Sequence, residues 1–206
     1  MHTAHDHNAQ KRRSVDSAQW LTIANIITAL RILVAPFFFY LLVQGSAWSL
    51  SLALMLFAGA AITDFFDGVL ARRLGVISDV GIFLDPLADK ILVLSALFGF
   101  VVLDIVPLWA VSVVAIRDVI ATALRIWSLS LGKPLRPSGA AKWKTFLQMG
   151  YVVLVLALLV LESWWDNWVA SIARVILESG AIEVTMYVIV VLTAWSLVGY
   201  FRHRDQ

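Results

Sequence analysis

The sequence predicts an all-α, polytopic membrane protein with six transmembrane helices, and three observations carry that expectation. Of its 206 residues, 61% are hydrophobic and 15% charged, whereas a soluble domain has about a quarter of its residues charged and under half apolar. Six segments approach the roughly 20 mostly apolar residues that a helix needs to cross a hydrocarbon core. Lys and Arg gather in alternate connections between these segments, the asymmetry that orients membrane proteins. The mean hydropathy of +0.85 agrees. The length suits one domain. Cysteine is absent, which excludes a disulfide framework and a thiolate metal site.

The segments run from about Leu21 to Val43, Trp48 to Leu70, Val80 to Leu103, Pro107 to Leu131, Phe146 to Leu161 and Ile182 to Tyr200. The fifth is the shortest. The first begins far from the start and is long, so it reads as a retained helix instead of a cleaved leader. Residues 1–19 are polar and contain His2, His5 and His7. They read as a disordered, solvated cytoplasmic tail, which leaves residues 20–206 as the six-helix transmembrane domain.

Lys11, Arg12, Arg13, Arg72, Arg73, Lys133, Arg136, Lys142, Lys144, Arg202 and Arg204 all fall on one side of a six-span chain. The opposite connections hold little positive charge. The pattern predicts both termini in the cytoplasm, and the inner membrane is the expected location. Trp164, Trp165 and Trp168 lie between Ser163 and Ile182, where an interfacial helix on the outer face is expected. The net charge of +2 is modest, and nucleic acid is not an expected partner.

One stretch carries chemistry. It contains Thr63-Asp64, Asp67-Gly68, Ala71-Arg72-Arg73, and then Ser78-Asp79, Gly81, Asp85-Pro86 and Asp89-Lys90. Intramembrane carboxylates are costly and usually face a cavity or a partner. At about 100° per residue, taking Asp64 as zero, Asp67 falls near −60°, Ala71 near −20°, Gly68 near 40° and Arg72 near 80°. Both acids, the two small residues and an arginine therefore share one face. Asp85 and Asp89, four apart, form a second stripe with Ser78 and Gly81. A short connection makes the two helices antiparallel neighbours, so the acid pairs meet. Gly68, Ala71 and Gly81 allow close approach of a backbone or a bulky ligand.

Four clustered carboxylates repel one another without a counter-charge. Hard divalent cations accept oxygen ligands and cancel that charge. Two ions about 4 Å apart can clamp a phosphoryl group during displacement, and phosphoryl transfer needs mainly positioning and neutralisation. Arg72 suits a forked phosphate contact. Interfacial pairing with Arg72, Arg73 and Lys90 would account for any single aspartate. It does not account for four in this register with small residues on the same faces.

This stretch resembles the signature of the CDP-alcohol phosphotransferase family: Asp-x-x-Asp-Gly-x-x-Ala-Arg, eight residues, then Gly-x-x-x-Asp-x-x-x-Asp. Asp64, Asp67, Gly68, Ala71, Arg72, Gly81, Asp85 and Asp89 occupy its fixed positions. The similarity extends from about Asn25 to about Met149. The resemblance implies the six-helix fold of that family, with the active site on the cytoplasmic side of the membrane. It implies that Asp64, Asp67, Asp85 and Asp89 hold two Mg2+ or Mn2+ ions and that Asp89 is the catalytic base on the acceptor hydroxyl. It also implies that Gly68, Ala71, Arg72 and Gly81 contact the CDP moiety of CDP-diacylglycerol, with CMP as the second product. A homodimer is implied as well. Asn25 and Thr28 lie on roughly one face of the first span with Arg31, where they line the nucleotide site or bond to neighbouring helices.

The acceptor is read from further similarities. Asn25 to Arg31 followed by Pro36, the segment Leu84 to Lys90, and Arg117, Arg125, Lys142, Lys144 and Gln148 resemble the family members that make phosphatidylglycerophosphate from glycerol 3-phosphate. Arg117 and Arg125 lie within about 80° on one helical face, and Lys142 and Lys144 begin the next span at the same level. Such a cluster suits a doubly charged phosphate. Lys133 and Arg136 read as contacts to lipid headgroups. Asp118 departs from the Glu expected in those members and resembles the family's cardiolipin synthases, whose acceptor is phosphatidylglycerol. An ion-coupled transporter also uses buried aspartates, but this chain shows no paired halves and its acids gather at one side.

Overall fold

A computed structural model describes residues 30, 32–74, 79–130 and 139–202, with backbone alone for 64–74, 79–89, 125–126, 129–130, 139–142 and 197–202. The described elements are all helical: α1 (Ile32–Gln44), α2 (Ala47–Leu74), α3 (Asp79–Val102), α4 (Leu108–Ser130), α5 (Gly139–Trp164), α6 (Trp168–Glu178) and α7 (Ala181–Arg202). The tail at 1–19 lies outside the described residues, as do positions 21–29 and 31 of the first expected span.

Each break has a local cause. Gly45, at φ +66°, ends α1, and Ser46 caps α2 by accepting the Ser49 amide at 3.2 Å. After α3, Ile105 N–H donates to the Phe100 carbonyl at 2.9 Å and Asp104 N–H to that of Val101 at 3.1 Å. This paired closure is common at helix C-termini. It places Asp104 in the left-handed region, at φ +56°, and Pro107 then starts α4. Asn167 caps α6 by accepting from Val169 and Ala170. Gly180, at φ +74°, turns the chain into α7.

Helix α5 is the central element, packed on α2, α6 and α7 and also touching α3; α3 packs on α4, and α4 on α7. The core between them holds Phe38, Phe57, Leu97, Phe100, Val152, Leu156 and Met186. Phe38 and Phe57 join α1 to α2 with ring centroids 5.8 Å apart. Phe100 meets Tyr151 of α5 edge-on at 6.4 Å. A Cβ at Gly99 would overlap the buried side chain of Leu42, so glycine sets the approach of α3 to α1. Trp164 Nε1, at the end of α5, donates to the Ser51 hydroxyl at 2.7 Å and to the Ala47 carbonyl at 3.1 Å.

Many large apolar side chains stand on the outside. Leu33, Met55, Ile116, Phe146, Val191 and Trp195 all stand exposed. On α6, Ala170 and Ala173 face inward while Trp168, Ile172 and Val175 face out. A helix therefore stands within the stretch Ser163 to Ile182, where one was expected.

The expected count of six spans is matched only in part. By length and composition, one described helix segment, Trp143–Trp164, suffices to cross a membrane. A second candidate is the pair α6 and α7, bent by 46° at its break. Shorter apolar helices cover Ile32–Gln44, Ala47–Thr63 and Lys90–Val102. Helix α5 starts at Gly139, seven residues before the expected Phe146.

Candidate active site

The motif positions occupy two helix ends. Asp64, Asp67, Gly68, Ala71 and Arg72 lie in the second half of α2, and Gly81, Asp85 and Asp89 lie in the first half of α3. The backbone there is helical throughout. The three- and four-residue spacings therefore keep each aspartate pair on one helix face. The side chains of these eight residues lie outside the described residues, and so do Asn25 and Thr28 altogether. Arg125 and Lys142 stand on the described backbones of α4 and α5, with side chains outside the described set.

From Lys90 onward the side chains are described, and this part-buried lysine joins a polar cluster that is buried at Arg117, Asp118, Thr122 and Lys144. Lys90 Nζ donates to the Asp118 carbonyl at 2.8 Å and also to the Thr122 hydroxyl. Thr122 in turn donates to the Asp118 carbonyl at 2.8 Å. The Asp118 Oδ1 atom accepts from Arg117 Nη1 at 3.0 Å and from Lys144 Nζ at 2.5 Å. Arg117 Nη2 donates to the Ser196 hydroxyl of α7, and Ser196 donates to the Thr193 carbonyl at 2.8 Å. Gln148, one turn beyond Lys144, is buried alongside. Helices α3, α4, α5 and α7 thus meet at one polar joint inside an apolar bundle.

Burial makes the charges matter. Arg117 is 8% exposed, Asp118 5% and Lys144 3%. Arg117 and Lys144 set two buried cations against the one carboxylate they share, an excess of one positive charge within this group of three. Buried charge is costly unless it is paired and hydrogen-bonded, so this cluster favours anions. Arg117 Nε is buried without a hydrogen-bond partner among the described residues, which leaves one N–H donor of the guanidinium unspent.

The structure therefore brings together two of the four expected acceptor-site residues, Arg117 of α4 and Lys144 of α5, through the Asp118 carboxylate. Asp118, Thr122 and Ser196 join them, and none of these three was expected at the site. Ser196 left one trace in the sequence: it is a hydroxyl in an apolar helix, three residues after Thr193.

A cleft of about 740 Å³ lies at the other end of the bundle, lined by Asp104, Glu162, Arg174, Glu178, Gly180 and Glu183 among others. Helix α2 leads away from it toward the motif, and α3 leads back to it. The cleft is thus a helix length from the aspartates. Arg174 in its wall is held by Glu162 at 2.9 Å.

Comparison with known proteins agrees with the motif. The family model described as CDP-alcohol phosphatidyltransferase matches residues 21–195. A protein of Pseudomonas fluorescens named CDP-diacylglycerol--glycerol-3-phosphate 3-phosphatidyltransferase is 36% identical over 189 residues, covering 88% of this chain and 89% of the relative. Proteins with the same name from Salmonella typhimurium and Shigella flexneri are 35% identical over 182 residues and 34% over 183; each match covers 86% of this chain and 92% of the relative. The matched region takes in both helices of the aspartate motif and every residue of the buried cation cluster except Ser196. Motif, helical architecture and extent of similarity together give one conclusion: the chain belongs to the CDP-alcohol phosphatidyltransferase family.

Proposed function

We propose that this protein transfers the phosphatidyl group of CDP-diacylglycerol to glycerol 3-phosphate, giving phosphatidylglycerophosphate and CMP in phospholipid biosynthesis. The observation that carries the acceptor is the pair of buried cations Arg117 and Lys144 sharing the one carboxylate of Asp118, whose main-chain carbonyl takes Lys90, directly after Asp89 on α3. An excess of buried positive charge suits a substrate that brings a phosphate dianion. The names of the relatives from Pseudomonas fluorescens, Salmonella typhimurium and Shigella flexneri point to the same substrates.

In this reading Asp64, Asp67, Asp85 and Asp89 would hold divalent metal, two Mg2+ or Mn2+ ions. The donor set fits: four carboxylates supply hard oxygen ligands, and each pair shares a helix face. The bound ions would neutralise the diphosphate and the developing charge. Gly68, Ala71, Arg72 and Gly81, with Asn25 and Thr28, bind the cytidine diphosphate. Arg117 and Lys144, with Arg125 and Lys142, bind the acceptor phosphate. Asp89 accepts the proton of the acceptor's primary hydroxyl. The freed oxygen attacks the phosphorus bearing the diacylglycerol. The bond from that phosphorus to the bridging oxygen breaks, and CMP leaves with the electron pair.

The same reading places six spans in the inner membrane, both termini and the active site on the cytoplasmic side, and α6 on the outer surface. The exposed apolar exterior supports it. A homodimer belongs to it as well.

A transfer assay in detergent tests the function. CDP-diacylglycerol and magnesium are supplied with radiolabelled glycerol 3-phosphate or with phosphatidylglycerol in separate reactions, beside an Asp89→Asn control. Label entering lipid from glycerol 3-phosphate, and lost in the control, is the expected result. Cardiolipin formed only from phosphatidylglycerol would replace the acceptor, and that outcome is the one the Arg117-Asp118 pair keeps in view.

A further inference from the structure

We propose that Asp118 is the positioning residue of the acceptor site, holding Arg117 and Lys144 as one pair and tying that pair to the base-bearing segment of α3. The inference rests on the reading of Arg117 and Lys144 as ligands of the acceptor phosphate.

Three observations carry it. A single oxygen, Asp118 Oδ1, accepts from both cations, at 3.0 Å from Arg117 and 2.5 Å from Lys144. Two like charges on different helices are thereby bridged inside the bundle. The carbonyl of the same residue takes Lys90 Nζ at 2.8 Å, and Lys90 follows Asp89 directly. One residue therefore connects the cations that would hold the acceptor phosphate to the segment that would take the acceptor's proton. Finally, the bridge spends only part of Arg117. Nη1 goes to Asp118 and Nη2 to Ser196, while Nε has no partner among the described residues. The guanidinium is fixed in orientation with a donor to spare.

Removing the carboxylate raises the net positive charge, which by itself would attract a phosphate. It also removes the bridge, and the repulsion between Arg117 and Lys144 then separates them. The second effect dominates, because transfer needs the acceptor oxygen held in line with phosphorus, and small misplacements cost large factors in rate.

A merely structural ion pair gives a different result. It would lower the melting temperature but leave the folded enzyme with unchanged kinetics. The test is steady-state kinetics of the full chain in detergent, run well below each variant's melting temperature, with each substrate varied in turn. Asp118→Asn is expected to lower kcat/KM for glycerol 3-phosphate about tenfold or more, while the KM for CDP-diacylglycerol changes less than about twofold. Asp118→Glu, which keeps the bridging charge, is expected to restore most of the loss. Equal losses toward both substrates, or acceptor kinetics like the wild type, would overturn the proposal.

Where Asp118→Asn does not fold, the test moves to a background in which the pair is already neutral. Lys144→Gln alone is compared with Lys144→Gln/Asp118→Asn, which leaves one buried cation without the carboxylate where Asp118→Asn alone leaves two. A further loss of about threefold or more in acceptor kcat/KM is expected, because Asp118 still holds Arg117 in the single variant. No further loss would overturn the proposal. Failure of the acceptor reading itself appears separately, as a wild-type enzyme that does not use glycerol 3-phosphate.

Discussion

Lys90 Nζ on α3 donates to the main-chain carbonyl of Asp118 on α4 at 2.8 Å, across a gap of 28 residues in sequence. A charged donor thus links the segment after Asp89 to the helix that carries Arg117.

Lys90→Met should keep the stem of this side chain and lose its charge and hydrogen bonds. Each charge-assisted bond contributes about 1.5–3 kcal/mol net, so the melting temperature should fall by several degrees. Loosening α3 against α4 should also lower kcat by about 10- to 100-fold. Both are read from thermal unfolding and initial rates in the same detergent, and a wild-type kcat would contradict the link.

Gly99 and Leu42 give a packing prediction. A methyl group at 99 runs into a side chain that is fully buried. Gly99→Ala should therefore destabilise by about 1–3 kcal/mol through overpacking. Truncating the opposing side chain in the double variant Gly99→Ala/Leu42→Ala should recover part of the Gly99→Ala loss relative to Leu42→Ala alone. Simple additivity of the two changes would show that they do not touch.

At Asp104 the backbone is left-handed, at φ +56°, a conformation that costs L-residues about 1 kcal/mol and glycine almost nothing. Asp104→Gly should raise stability by up to about 1 kcal/mol, and Asp104→Val should lower it. Activity should be unchanged in the glycine variant, since the turn lies at the end of the bundle away from the aspartate motif.

Chelation with EDTA should abolish transfer, and magnesium or manganese should restore it. Asp67→Asn or Asp85→Asn should lower kcat on the order of 10³-fold, the several kcal/mol of charge stabilisation that metal ions supply. Full activity in excess chelator would remove the divalent ion from the mechanism.

The helical elements were legible because hydropathy marks long apolar segments, which fold here as helices with apolar side chains both in the core and on the exposed face. The expected span Pro107 to Leu131 became α4, Leu108–Ser130, and Val80 to Leu103 became α3, Asp79–Val102. The start of α5 was missed because Gly139-Ala-Ala-Lys-Trp-Lys-Thr is not apolar, although alanine and lysine are good helix formers. The candidate site was legible as faces of helices and not as contacts. Periodicity put Arg117 on one side of α4, but the bond from Lys144 to Asp118 spans 26 residues and that from Arg117 to Ser196 spans 79. Such pairs depend on how whole helices dock. Sequence spacing does not encode that docking.

The apolar exterior has a practical consequence. With Leu33, Met55, Phe146, Val191 and Trp195 turned outward, the surrounding amphiphile acts as a bound ligand of the native state and shifts its unfolding by mass action. A melting temperature measured for this protein is therefore a joint property of chain and solubiliser. Tolerance to substitution should also invert relative to a water-soluble bundle, with a lysine on the outer face of α1 or α7 as disruptive as one in the core.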